Sequence, residues 1–235
     1  LPGRVVLVMA SSDAGALLVA TAGGFYSGSV RHLQPIPGLA REAGAAWIAR
    51  DGSQALFVVA GRLYRRDASG HWQYRVLPTI ATTEAAQAVV EDPRGRIWIR
   101  GRQMLLRLPR FDAAFEDLTA QLPGAAVPTG ELTLAATGRV WAPSNRGIAV
   151  FDGDRRALVD AAHGLPNEWA TTVLVDHEGS PWIGSEGVQQ LQGRMAWTAQ
   201  TRRQGLPSDT VWGVFRDREG TLWAATNRGV ARGTD

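Results

Sequence analysis

Two stretches near the C-terminal end match at corresponding positions with a separation of 41 residues. One runs Gly164-Leu165-Pro166, Val173-Leu174-Val175-Asp176, Gly179, Trp182-Ile183-Gly184 and Gly187-Val188. The other runs Gly205-Leu206-Pro207, Val214-Phe215-Arg216-Asp217, Gly220, Trp223-Ala224-Ala225 and Gly229-Val230. The pattern weakens upstream but keeps its phase. A large apolar residue falls at Leu18, Phe57, Trp98, Trp141, Trp182 and Trp223, with spacings of 39, 41, 43, 41 and 41. A proline marks each junction, at Pro2, Pro37, Pro78, Pro123, Pro166 and Pro207. Two markers sharing one period of about forty residues indicate six tandem units, each a single supersecondary structure that cannot bury its apolar face alone.

Each unit reads as strands joined by tight turns. Thr210–Phe215 is an apolar run that ends at Asp217-Arg218-Glu219-Gly220. There the aspartate can bond its own backbone and the glycine accepts positive φ. Thr221–Ala225 reads as a second strand, and Asn227-Arg228-Gly229 suits a hairpin. A third strand begins at Val230, and most units add a fourth, such as Trp72–Leu77. No segment keeps a helical period over ten residues. Second strands such as Ala55–Val59 and Arg96–Ile99 are apolar on both faces, although antiparallel sheets usually wet one face. With no helices to cover them, neighbouring sheets must do so. The expected fold is therefore all-β: a β-propeller of four-stranded antiparallel blades with six repeats, at about 1–36, 37–77, 78–122, 123–165, 166–206 and 207–235. The sixth repeat has no outer strand, so the expectation is a piece of a seven-bladed or double propeller, with a closed six-bladed ring as the alternative.

Composition narrows the chemistry. The absence of cysteine excludes disulfides and thiolate sites. All 25 basic residues are arginine, against 22 acids, and the pairs Arg65-Arg66, Arg155-Arg156 and Arg202-Arg203 lie far apart. A nucleic-acid binder concentrates its basic charge, so none is expected as a partner. No apolar run is long enough for a membrane helix, and Leu1-Pro2-Gly3-Arg4 does not open a signal peptide. Asp92, Asp176 and Asp217 lack the further acids of a calcium loop. His177-Glu178 is not part of His-Glu-x-x-His, and Gly23-Gly24 opens no helix for a phosphate loop. No nucleophile elbow is visible, and His32, His71, His163 and His177 fall in separate repeats. No catalytic residue, metal or cofactor is expected.

Alternating strands send the junction loops and the second-to-third-strand turns to one face of the blades. The Asp-x-x-Gly turns open on the other. The first face carries the varied residues, including Arg102, Asn167 and Ser208, and variation on a rigid scaffold is where recognition usually lives. The candidate ligand-binding residues there are Arg100, Asn145, Arg146, Glu168, Trp169, Glu186, Asp209, Asn227 and Arg228.

The repeat resembles the two-component regulator propeller repeat, Gly-Leu-Pro-(Ser/Asn), an apolar strand, Asp-x-x-Gly-x-Leu-Trp-Ile-Gly-Thr and Gly-Leu. The match is close in Gly164–Val188 and Gly205–Val230. Asp92, Gly95 and Trp98 keep the centre of the motif. Ala135-Ala136 replaces the acid before Trp141, and the first two repeats lack the tryptophan. The resemblance implies a non-catalytic sensor domain in the periplasm, part of an inner-membrane histidine kinase, hybrid regulator or diguanylate cyclase. Its implied partner is a small molecule, a saccharide among the options, or a protein. Membrane attachment would come through parts outside this chain, with a homodimer in the parent receptor. Two other readings stand beside it. One is a streptogramin-linearising type of propeller lyase, for which His163 and Glu168 are the nearest residues. The other is a protein-interaction scaffold.

Overall fold

A computed structural model describes residues 6–21, 24–36, 44–49, 51–67, 69–78, 85–124, 131–167, 169–176, 178–192 and 196–233. Leu1, Pro2, Gly3, Arg4, Gly23, Pro37, Glu168 and His177, singled out above, lie outside the described residues. The chain divides into two compact units, Leu1–Leu118 and Thr119–Asp235.

The first unit holds three antiparallel sheets. These are β1 (Val6–Ser11), β2 (Leu17–Thr21), β3 (Gly24–Ser29) and β4 (His32–Pro35); β5 (Ala45–Ile48), β6 (Ala55–Val59), β7 (Arg62–Arg66) and β8 (Trp72–Val76); and β9 (Ala88–Glu91), β10 (Ile97–Arg100), β11 (Leu105–Leu108) and β12 (Glu116–Asp117). The second unit also holds three. Two are four-stranded: β13 (Thr133–Leu134), β14 (Val140–Ser144), β15 (Gly147–Asp152) and β16 (Arg155–Val159); then β17 (Thr172–Val175), β18 (Pro181–Ser185), β19 (Gly187–Gln192) and β20 (Ala196–Gln200). The last has three strands: β21 (Val211–Arg216), β22 (Leu222–Thr226) and β23 (Gly229–Arg232). Strands pair in chain order throughout, so each sheet is a meander. The six sheets are the blades of a β-propeller, one in each sequence repeat.

Within each unit the blades cover one another, as the two-sided apolar strands require. Every residue of β6 is buried. Its Leu56 and Val58 face Ile97 and Ile99 of the third blade, while Ala55, Phe57 and Val59 face Leu18 and Ala20 of the first. In the second unit Trp141 and Ile148 meet Ile183 and Val173, and Trp182 and Val188 meet Leu222 and Ala224. Each fully buried large side chain contributes roughly 1.5–3 kcal/mol relative to exposure.

One expectation is corrected in register. Leu18, Trp141 and Trp182 face the following blade, but Phe57 faces the preceding one. Leu56 takes the repeat position in the second blade. The cause is the turn before it. Asp92 donates its N–H to Arg96 O, four residues on, whereas Ala49 donates to Gln54 O, five residues on. One extra residue sends every following side chain to the opposite face.

The Gly-Leu-Pro signature also gains a structure. Short 3-10 turns at Ala161–His163 and Arg202–Gln204 end at Gly164 (φ 83°) and Gly205 (φ 106°), left-handed caps that glycine adopts without strain. Leu165 and Leu206 then turn into the inter-blade cores.

Candidate recognition site

The two ends of the blades differ in how their polar groups are used. At the Asp-x-x-Gly end the aspartates are engaged internally. Asp92 Oδ1 accepts from the N–H groups of Arg94 and Arg96, and its Oδ2 accepts from Trp98 Nε1 at 3.0 Å. Asp176 repeats the set with Glu178, Ser180 and Trp182 Nε1 at 2.9 Å. Asp217 does so with Glu219, Thr221 and Trp223 Nε1 at 2.8 Å. The indole bond, ahead of the backbone bonds, holds the Asp217 carboxyl below the usual carboxylate range. The turn reading of these residues holds, and the turn also fixes the tryptophan ring. Sequence reasoning missed that link, although the constant six-residue offset from Asp to Trp was its signal.

The opposite end presents its side chains outward. Asn145 and Arg146 form the exposed β14–β15 turn. Ser144 Oγ anchors that turn by donating to Pro123 O at 2.9 Å and by accepting from the Arg146 N–H at 3.2 Å. Ala170 donates its N–H to Ser144 O at 2.9 Å, so the backbone next to half-buried Trp169 runs beside that turn. Beside Arg146 lies a hollow of about 310 Å³, lined also by Asp160, Ala161 and Ala162. Asp160 accepts from the His163 ring at 2.7 Å. That bond is the main cause holding the Asp160 carboxyl below its ordinary value.

A second group forms where the last two blades meet. Gly187 donates its N–H to Asp209 O, and exposed Glu186 bridges to Thr210. Asn227 donates its N–H to Thr210 O at 3.2 Å, and Asn227 Oδ1 accepts from Trp212 Nε1. Asp209 Oδ1 accepts from the Arg202 N–H at 2.6 Å. Glu186, Asp209, Asn227 and Arg228 are therefore neighbours.

Arg100 departs from the expectation of an open rim position. It is the last residue of β10, two places after Trp98 and on the same strand face, and it is only 1% exposed. The strand runs one residue further than its apolar pattern suggested, and that extension takes the guanidinium inside.

Glu131 was not singled out from sequence. Thr172 donates its hydroxyl to Glu131 Oε1 at 2.9 Å, and burial of the carboxyl pushes its pKa up to about 7. Next to it, the Thr171 hydroxyl lies 2.9 Å from Gly184 O and 2.6 Å from Val211 O. An acid just before an apolar strand would have been the only hint. Among the described residues no group of three or more His, Cys, Asp or Glu side chains is placed to hold a metal ion.

Fold and rim together define a repeat propeller with one end given to internal turns and the other to varied side chains. Residues 205–228 match the family described as Two component regulator propeller, which bears out the resemblance seen in the sequence. No curated protein matches the chain. Among solved structures, a catalytically inactive virginiamycin B lyase from Staphylococcus aureus with quinupristin is 15% identical. Its TM-score is 0.72, with 97% of this chain and 83% of that one covered. A protein named as the extracellular domain of a hybrid two component system from B. thetaiotaomicron is 14% identical. Its TM-score is 0.70, with 97% and 32% covered. PorZ, a surface component of the type-IX secretion system of Porphyromonas gingivalis, is 16% identical. Its TM-score is 0.67, with 94% and 38% covered. At these identities the likeness is one of fold. The chain spans about a third of the length of that extracellular domain.

Proposed function

We propose that this chain is a non-catalytic recognition domain of a bacterial membrane signalling receptor, working outside the cytoplasm. The observation that carries this reading is the division between the two blade ends. The aspartates of one end are consumed by backbone and indole bonds, whereas Asn145, Arg146, Glu186, Asn227 and Arg228 are exposed at the other. The Two component regulator propeller match at residues 205–228 supports the signalling role, as does the fold shared with an extracellular domain of a two component system. Arginine, asparagine and tryptophan together suit a polar ligand with an apolar face, such as a saccharide carrying an acidic group. The site proposed for it is the hollow lined by Arg146 and Asp160, with Asn145 in the same turn as Arg146 and the segment after Trp169 bonded to that turn through Ala170.

The test is thermal denaturation and calorimetry with a panel of neutral and acidic oligosaccharides. The expected result is a rise in melting temperature with an acidic sugar that disappears in Arg146→Ala. A shift unaltered by that substitution, or chemical turnover of the bound sugar, would overturn this reading.

A further inference from the structure

The first blade departs from the repeat where it faces the second. In the fifth blade Trp182 stands opposite Gln190 on the neighbouring strand. In the third, Trp98 stands opposite Arg107, whose guanidinium lies over the ring at 5.4 Å. The same places in the first blade hold Leu18 and Ser27. This smaller pair fills less space beside the next blade, and a hollow of about 330 Å³ opens there. That volume lies within the roughly 300–1,000 Å³ of ordinary ligand pockets. Both walls are four-stranded blades of the first unit. Leu17 directly follows the Ser12–Ala16 turn and Ile48 directly precedes the Ala49–Gln54 turn. The hollow therefore lies at the turn end, in a place where the Asp–Trp bond is missing.

Its floor is apolar, since Leu18 and Ile48 belong to the core shared by the two blades. Its polar groups come from both walls. Ser27 and Gln34 stand opposite one another on β3 and β4, and Arg66 closes the other side from the end of β7. The Gln34 amide nitrogen lies 3.0 Å from His32 Nε2. No acid lines the hollow among the described residues. Arg66 donates from Nη2 to Gly52 O at 3.3 Å, while its buried Nε meets no acceptor among the described residues. A half-buried guanidinium with one long bond to a carbonyl and no carboxylate beside it is poorly compensated for the water it has lost. An anion would supply that compensation. Arg66 is the one arginine in the lining, which suits a single negative charge rather than a phosphate dianion. Its planar fork also matches a planar carboxylate.

We propose that this hollow is a binding site for a small organic monocarboxylate. The carboxylate meets Arg66, with the Ser27 hydroxyl and Gln34 amide as further donors, and the apolar body of the ligand lies on Leu17, Leu18 and Ile48. The site is built from the first two blades alone, so it is separate from the hollow beside Arg146 in the second unit.

The probe is benzoate, followed by saturation-transfer difference NMR with the whole chain. Saturable binding is expected. Benzamide has the same shape without the charge, and it is expected to bind about tenfold more weakly or worse, the loss that goes with a charge-assisted hydrogen bond. Arg66→Ala is expected to weaken benzoate by a similar factor. Leu18→Trp restores the indole of the other blades and is expected to block binding by filling the hollow. Arg110→Ala, which removes an exposed arginine paired with Asp112, is expected to leave binding unchanged. The benzamide comparison and Arg66→Ala keep the test decisive if Leu18→Trp does not fold. Absence of saturable binding, or binding indifferent to Arg66→Ala, overturns the proposal. Equal binding of benzamide, or displacement of benzoate by an equal concentration of inorganic phosphate, also overturns it, because the hollow would then select neither the charge nor the organic carboxylate.

Discussion

Trp182 Nε1 donates to Asp176 Oδ2 at 2.9 Å, six residues back along the same hairpin. The carboxylate that closes the turn thereby also orients the ring that wedges between the last two blades. A buried indole N–H needs an acceptor, and this one is built into the repeat. Turn and wedge form one device, repeated at Asp92 with Trp98 and at Asp217 with Trp223.

Asp176→Ala removes the acceptor of two backbone N–H groups and of the indole. It is expected to cost about 2–4 kcal/mol, since unpaired buried donors are expensive. Trp182→Ala is expected to cost about 3–5 kcal/mol through the space it leaves. The two residues touch, so the double variant should lose less than the sum. Urea denaturation of the four proteins measures this, and strict additivity would contradict the coupling.

The fourth blade supplies the natural counterpart. Ala135 stands where the third, fifth and sixth blades have Asp92, Asp176 and Asp217, and its turn has the same backbone bonds, to Arg139 and from Gly138. Trp141 Nε1 is buried there without an acceptor among the described residues. Ala135→Asp is expected to raise stability by about 1 kcal/mol by completing the set. A fall in the urea midpoint would count against this account.

Glu131 makes stability depend on pH. Its ordinary value is 4.5, and burial raises it to about 7 in the folded chain. Between those values the folded state holds a proton that the unfolded state has released. Stability therefore falls as pH rises through that window, and the penalty is absent below pH 4.5. Glu131→Gln is expected to stabilise the chain by about 1–3 kcal/mol at pH 8 and to have little effect at pH 4.5. Equal effects at the two pH values would refute the assignment.

Gly184 of the Trp-Ile-Gly segment tests a close approach. A methyl group there would lie 2.4 Å from Thr172 Cγ2 and 3.0 Å from Val211 Cγ1. Gly184→Ala is expected to cost about 1–3 kcal/mol by overpacking, read as a lowered melting temperature. Alanine tolerated without loss would show that the blades separate easily at that point.

The repeat period, the strand-turn alternation and the two-sided apolar strands were enough to read a propeller, because they are local patterns repeated along the chain. The division into a turn end and a varied end followed from strand alternation alone. Tertiary structure decided what depends on single residues. One extra residue in the turn after Ala49 moved Phe57 to the other blade face. One more residue of β10 took Arg100 inside. Glu131 owes its raised pKa to burial of its carboxyl beside a threonine of the next blade, about forty residues away in sequence. Periodicity averages over repeats and so reads the fold, whereas burial and register at one position depend on neighbours that the local sequence does not name.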